Sequence, residues 1–337
     1  MTIILRNVEI GYIRGKKQIP VLSQINNELN KGELTCLLGA NGVGKSTLLR
    51  TLAGFQPKLQ GQILIQDTDI QSYSPRSLAK IVSIVLTQRP RVYNMTSFEL
   101  VATGRTPYTG FWGRITKDDE LIISQAFQEV GITHLLKRYI NTLSDGERQK
   151  VMITKALVQD TPIILLDEPT AFLDYPSKVE IMQLLVKLAH TKNKTILLST
   201  HDMELAFQVA DYIWLFNNNK QLITGTPEDL AINKHFDSFF KHSNLTFSTD
   251  KGVFQVSYPI RWQVSAQLNG PYQNMVKRAL ARNNIGITTE YAANKPRIIL
   301  HDTVQFNAEI LLPNQTAQPI HSIKELLLHK KELQSYP

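Results

Sequence analysis

Short runs of consecutive aliphatic residues recur along the chain, each closed by glycine or a polar turn. Between them, apolar residues return at a spacing of three or four. Residues 34–38 (LTCLL), 81–86 (IVSIVL), 161–166 (TPIILL) and 195–199 (TILLS) are of the first kind. Such runs suit strands buried on both faces. Residues 46–53, 118–130 and 203–209, and the stretch opened by LSDGERQ (143–149), carry the helical spacing, and shorter helical pieces are expected at 77–81 and 132–138. Residues 3–10 alternate loosely and are rich in β-branched side chains, which predicts an edge strand ending at Gly11–Tyr12. Further strands are expected at 25–29 and 61–65, with turns at 15–17 and 31–32. Together these elements predict an α/β fold. Beyond about residue 240 the pattern changes to a strand at 252–258, a helix at 271–282, strands at 298–300 and 308–312, and a last helix opened by Ser322 and Glu325 as a capping box. This predicts a small α+β domain, 241–337, after a first domain, 1–240.

The junctions between elements carry the chemistry. The stretch LLGANGVGKST (37–47) has the spacing G-x-x-x-x-G-K-[ST] at Gly39, Gly44, Lys45 and Ser46, after an apolar strand and before helix formers. A strand, a glycine loop and a helix start in that order aim backbone N–H groups and the positive end of a helix dipole at one anion. Lys45 would then reach the β- and γ-phosphates, and the Ser46 hydroxyl would be a magnesium ligand. The strand at 161–166 ends in Asp167-Glu168-Pro169. Asp167 is placed to meet the metal of a nucleotide on a neighbouring loop, and Glu168 to polarise an attacking water. The strand at 195–199 ends in Thr200-His201-Asp202, where a histidine can hydrogen-bond a phosphate or hold the catalytic carboxylate. Ser144 and Glu147 form a capping box, and Ser144 with Gly146 also presents a hydroxyl and bare backbone at a helix start, a second anion site. Two positions stay open between readings: Tyr12 stacks on an adenine ring or simply packs, and Gln88 touches a magnesium ion or its waters or is a hydrogen-bonded surface side chain. So do residues 89–114, where Tyr93, Phe98, Tyr108, Phe111 and Trp112 lie among glycines and prolines in a stretch that reads as irregular. That segment is either a binding face for another protein or packs within its own subdomain.

Composition narrows this only slightly. The 337 residues, 42% hydrophobic, suffice for one large core and an appendage. A net charge of +8 fits nucleotides, nucleic acid or an anionic membrane surface, and without a block of like charges a basic nucleic-acid tail is not expected. The single cysteine, Cys36, sits in an apolar run, which fits a buried core thiol and a reducing compartment. No signal peptide is expected at the start, and no window approaches the roughly 18 apolar residues of a membrane span. Membrane contact is therefore expected through a partner.

Taken in order, these motifs resemble the ATP-binding subunit of an ABC transporter, over residues 1 to about 240. The loop from Gly39 to Thr47, including Asn41 and Gly42, matches the Walker A motif. Gln88 matches the Q-loop, residues 143–149 the ABC signature, and residues 163–167 the Walker B strand. Glu168 matches the catalytic glutamate, Asp174 the D-loop aspartate and His201 the switch histidine. Tyr12 sits where the family places its adenine-stacking aromatic. The signature departs by Asp145, and the D-loop reads AFLD where SxLD is commoner. The segment GRTPYTGFWGR (104–114) and the HDMELA stretch are similar to ATPases of iron-siderophore, haem and cobalamin importers.

The resemblance implies a P-loop NTPase with an N-terminal antiparallel β subdomain and a helical subdomain at about 89–160, using ATP and Mg2+. It also implies a head-to-tail homodimer sharing two ATP molecules, in which Ser144 and Gly146 serve the partner's site. Two transmembrane permease subunits and, indirectly, a substrate-binding protein would be partners, and nucleic acid would not. The expected place is the cytoplasmic face of the cell membrane. The alternative is a soluble ABC ATPase with a non-transport task such as cofactor assembly. For the C-terminal domain a dimerising or stabilising role is expected before ligand sensing.

Overall fold

The computed structural model describes residues 2–87, 94–110, 113–239, 244–248, 252–290, 295–313 and 315–335. Two strands open the chain, β1 (Ile3–Arg14) and β2 (Lys17–Leu29), paired antiparallel. Tyr12 lies within β1, opposite Ile19, and not just beyond a strand that ends at residue 10. The pairing with β2 continues to Arg14 and carries the strand past Gly11, whose place a side chain could not fill: a Cβ there would lie 2.1 Å from the Ile19 carbonyl oxygen.

Next come β3 (Leu34–Gly39), α1 (Lys45–Leu52), β4 (Gln60–Ile65), β5 (Thr68–Asp69), α2 (Pro75–Leu78) and β6 (Val82–Val85). They are followed by α3 (Ser97–Ala102), α4 (Lys117–Val130), α5 (Asp145–Val158) and β7 (Ile163–Asp167). Then α6 (Tyr175–Lys192), β8 (Thr195–Ser199), α7 (Met203–Val209), β9 (Tyr212–Phe216), β10 (Leu222–Gly225), α8 (Pro227–Ile232) and α9 (His235–Phe239) complete this part. The antiparallel sheet has the order β2-β1-β4-β5, and a six-stranded sheet has the order β10-β9-β3-β8-β7-β6, parallel except for its β10 edge. One apolar core joins the two sheets across α1, from Ile3, Ile10 and Ile63 to Leu37, Leu49, Leu165 and Trp214. A second core, built on Leu100, Ile123, Phe127, Leu135 and Val151, holds α3, α4 and α5 together.

The stretch expected to be irregular contains a helix. Thr96 and Glu99 close a capping box at the start of α3, which packs on α5. Residues 132–138 form only a 3-10 turn, Thr133–Leu135, after Gly131 ends α4 in the left-handed conformation. In GRTPY it is Gly104 and Arg105 that pack inward, while Thr106 and Tyr108 stay exposed: Arg105 is buried, its Nε donates to Asp119 Oδ1 at 2.7 Å and its Nη1 to the Val158 carbonyl at 2.9 Å, and its guanidinium carbon lies 4.1 Å from the centre of the Tyr108 ring. Phe98 packs against the helical core, whereas Tyr93, Phe111 and Trp112 lie outside the described residues. Cys36 is fully buried, and burial, helped by the nearby Asp211, pushes its thiol up.

The chain divides into two compact units, Met1–Phe239 with Thr249–Val253, and Phe240–Ser248 with Phe254–Pro337. The second is an α+β unit. After a two-stranded sheet of β11 (Leu245–Ser248) and β12 (Val253–Val256) come β13 (Trp262–Leu268), α10 (Gln273–Ala281), β14 (Ile285–Thr288), β15 (Arg297–Leu300), β16 (Ala308–Leu311), β17 (Gln318–Ile320), α11 (Ile323–Leu328) and α12 (Lys330–Leu333). Its sheet runs β14-β13-β15-β16-β17 around a separate core that includes Val264, Val276, Leu280, Ile298 and Leu326.

Candidate functional site

The carboxyl ends of β3, β7 and β8 lie side by side in the parallel sheet, so the three loops that follow meet at one edge. After β3 the chain turns through Gly39, Asn41, Gly42 and Gly44 into α1. Gly44 is the N-cap of α1 with φ +124°, and a Cβ there would lie 2.7 Å from Val21 Cγ1, so both conformation and space require glycine. Ala40, Asn41 and Gly42 stand exposed, and no acidic side chain occupies the first turn of α1, which leaves its N–H groups to face an anion. Lys45 is buried, and its ammonium donates to the carbonyls of Gly39 (2.7 Å) and Ala40 (3.2 Å). Burial lowers its pKa, against the opposing pull of Glu168 and Asp167, and an anionic ligand beside it would favour the charged form further.

The loop after β7 reaches this cradle. Ser46 Oγ donates to Asp167 Oδ1 at 2.9 Å, and Ser199 Oγ, at the end of β8, donates to the same oxygen at 2.8 Å. Glu168 takes a left-handed backbone, φ +51°, strained for a residue with a side chain. Its N–H holds that shape by donating to Ser199 Oγ (3.0 Å) and the Ser199 carbonyl (3.2 Å). The Glu168 carboxylate, freed toward the site, is hydrogen-bonded to His201 Nε2. Ser199 escapes the sequence reading: it looks like the last residue of a buried strand, and its only signal is its register opposite Asp167. Thr87 Oγ1 donates to the Asp167 carbonyl at 2.7 Å, which brings the end of β6 to the same edge. Gln88 lies outside the described residues. On the other flank, Tyr12 is half exposed and its hydroxyl is 3.0 Å from Thr47 Oγ1, so its ring stands beside the loop over a shallow pocket lined by Ile13, Arg14, Gln56 and Pro57.

Ser144 and Gly146 lie at the start of α5. Ser144 caps α5, accepting from Glu147 N, while the Glu147 carboxylate accepts from Ser144 N at 2.8 Å. That backbone bond leads in holding the Glu147 carboxyl below its ordinary value. Gly146 faces Ser177, whose Oγ would be 3.2 Å from an added Cβ. Asp174 caps α6 through the N–H of Ser177. Among the described residues no hydrogen bond joins Ser144 or Gly146 to the glycine loop. The chain therefore holds a cradle with its carboxylates and, not hydrogen-bonded to its glycine loop among the described residues, a helix start suited to a second phosphate contact. A groove of about 700 Å³ opens beside the cradle's helix, lined by Phe55, Tyr73, Leu78, Gly104, Pro107 and Lys155, with Phe55 63% exposed. Among the described residues no helix is long and apolar enough to cross a membrane.

Residues 22–171 match the family model described as ABC transporter. An uncharacterized ABC transporter ATP-binding protein of Methanocaldococcus jannaschii is 40% identical over 250 residues, 74% of this chain and 85% of that protein. The chain belongs to the ABC transporter ATP-binding proteins. Among its other relatives are the petrobactin import ATP-binding protein FpuD of Bacillus anthracis, 36% identical over 68% of this chain and 84% of that one, and the ferric enterobactin transport ATP-binding protein FepC of Escherichia coli, 33% identical over 64% and 80%. Solved structures agree. CbiO1 of Clostridium perfringens, part of the transporter complex CbiONQ, superposes with a TM-score of 0.61 at 26% identity, over 72% of this chain and 94% of that one. The dimeric bacterial cassette MJ0796 gives 0.56 at 28%, over 63% and 93%. The P-loop NTPase fold and ABC-type ATP hydrolysis follow from these matches.

Proposed function

We propose that this ABC ATPase is the energy-supplying subunit of an importer for iron-siderophore, haem or cobalamin cargo. It works as a head-to-tail homodimer on the cytoplasmic face of the membrane, with two permease subunits and, through them, a substrate-binding protein. The observation that carries the reading is the division of phosphate-binding groups within one chain. Lys45, Ser46, Asp167, Glu168 and His201 are gathered at one edge of the sheet, whereas Ser144 caps α5 and Gly146 lies in its first turn, with no hydrogen bond to the glycine loop among the described residues. A second copy turned head to tail would bring the missing helix start to each cradle. The import assignment is supported by the names of FpuD and FepC and by the GRTPY segment.

In this reading Tyr12 stacks on the base, Asn41, Gly42 and the N–H groups through Thr47 surround the phosphates, and Lys45 exchanges its two carbonyl partners for phosphate oxygens. Glu168 orients and polarises the water that attacks the γ-phosphorus, and His201 holds the Glu168 carboxylate in place. Asp174 orders the turn into α6 beside the partner. The Ser46 hydroxyl and Asp167 carboxylate, 2.9 Å apart, form a pair of hard oxygen donors that fits Mg2+, with Gln88 as a further donor. That ion, when bound, neutralises charge on the β- and γ-phosphates. Loss of the γ-phosphate removes the anion shared between the two chains and lets them separate, and the apolar groove containing Phe55 offers the permease a contact through which the movement is felt.

The test is Glu168→Gln. With ATP the variant should sediment as a dimer and turn over at no more than about 1% of the native rate, since a missing general base typically costs 10²–10⁴-fold. With ADP it should stay monomeric. A monomer under saturating ATP would overturn the head-to-tail reading.

A further inference from the structure

Glu168 sits at φ +51°, in the left-handed region that a residue with a Cβ enters at a cost. Turning the plane of the Asp167–Glu168 peptide changes φ of Glu168 together with ψ of Asp167. A peptide free to turn would therefore return Glu168 to ordinary backbone and re-aim its carboxylate. Bonds from the two neighbouring strands stand against that turn, one side holding the N–H and the other the carbonyl. From β8, Ser199 Oγ accepts from Glu168 N at 3.0 Å and the Ser199 carbonyl at 3.2 Å. From the end of β6, Thr87 Oγ1 donates to the Asp167 carbonyl at 2.7 Å. The backbone pairing of β6 with β7 ends at Val85 and Leu166, so this hydroxyl adds a side-chain rung just past the end of the ladder. The rung is not part of the core. Thr87 is exposed, and with Glu168 it lines a cavity of about 40 Å³ beside Gln149 and Met152 of α5, which leaves a released loop room to move.

We infer that Thr87 is a positioning residue for hydrolysis: its hydroxyl locks the Asp167–Glu168 peptide and so aims the Glu168 carboxylate at the attacking water. The inference rests on the reading of Glu168 as the group that polarises that water, and it needs no second chain. Lys45 keeps its own bonds to the glycine loop, and the Asp167 carboxylate stays held by Ser46 and Ser199. Loss of the Thr87 hydroxyl therefore acts on turnover and leaves ATP binding alone.

The experiment measures ATP hydrolysis and ATP affinity on the full chain. Thr87→Val keeps the shape and loses the hydroxyl. Its kcat should fall about fivefold, the size of one ordinary hydrogen bond felt fully in the transition state, while KM and Kd for ATP stay within about twofold. Thr87→Ser keeps the donor and should recover kcat to within about twofold of native, which a role for the methyl group in packing would not allow. In a chain already carrying Glu168→Gln, Thr87→Val should change the residual single-turnover rate by less than about twofold, because no carboxylate is left to aim. A native kcat in Thr87→Val, a Thr87→Ser as impaired as Thr87→Val, or effects that multiply when Thr87→Val is combined with Glu168→Gln would each overturn the inference. A Glu168→Gln chain that hydrolyses ATP at the native rate would instead remove the reading of Glu168, and this inference with it.

Discussion

Ser199→Ala separates the support of the hydrolytic site from the site itself. Ser199 is fully buried at the end of β8, paired in register with Asp167, and its hydroxyl both donates to Asp167 Oδ1 (2.8 Å) and accepts from Glu168 N (3.0 Å). Losing a hydrogen bond to a carboxylate costs about 1.5–3 kcal/mol. The Glu168 N–H keeps the Ser199 carbonyl at 3.2 Å, so its share is small, and any relaxation of the Glu168 backbone from φ +51° returns part of the cost. A net loss of about 2 kcal/mol follows, which lowers Tm by about 4–8 °C for a unit of this size. The kinetic effect should be larger. A reacting group displaced by about 1 Å can cost up to about 100-fold, so kcat should fall at least about tenfold. KM for ATP should move less than about threefold, because Lys45 and the glycine loop are untouched. Phosphate release at varied ATP, together with thermal unfolding, measures both. Ser199→Thr keeps the hydroxyl but adds a methyl to a filled site, so it should lose Tm while retaining most of kcat. A Ser199→Ala protein with the expected fall in Tm but a kcat within about twofold of native would refute the claim that this hydroxyl positions Asp167 and Glu168.

Gly104→Ala should destabilise the helical subdomain by about 3 kcal/mol, since the new Cβ would sit 2.4 Å from the Lys155 carbonyl oxygen and 2.7 Å from Val158 Cγ2; faster amide exchange along α5 would report it. Acid should act on the same subdomain. Asp119 is held below its ordinary 3.8, first by the Thr116 N–H and then by Arg105, and Glu147 below its ordinary 4.5, first by the Ser144 N–H. Both groups have folded pKa values below their unfolded ones, so their stabilisation is complete above about pH 4.5 and lost as pH falls through the folded values. Exchange in α4 and α5 should therefore accelerate below pH 4.5 while β3, β7 and β8 stay protected, and Asp119→Asn should flatten that dependence.

The order of the chemistry along the chain is legible in the amino-acid sequence. A glycine loop between strand and helix, a carboxylate pair after an aliphatic run and a histidine after another are local signals, because each is imposed by the backbone of a few adjacent residues. Tyr175–Lys192 carries a comparable signal that is easily passed over: Asp174 as cap, Pro176 in the first turn and buried Ile181, Met182, Leu185, Leu188 and Ala189 at helical spacing. The run YIWLF of β9 is another. In residues 89–114 the glycines and prolines suggest loop, whereas Thr96 and Glu99 cap a helix there and Arg105 reaches 14 residues ahead to Asp119.

By itself, then, the sequence determined which residues could hold phosphate, metal and water, since those demands fall on neighbours in the chain. Tertiary structure decided the strand order that sets Ser46, Asp167 and Ser199 around one oxygen, 121 and 32 residues apart, and the inward turn of Arg105. It also decided that Ser144 caps α5 with no hydrogen bond to the glycine loop among the described residues. Such placements depend on pairings between distant segments and on which side chains the packed sheets leave room for, and no local pattern encodes either.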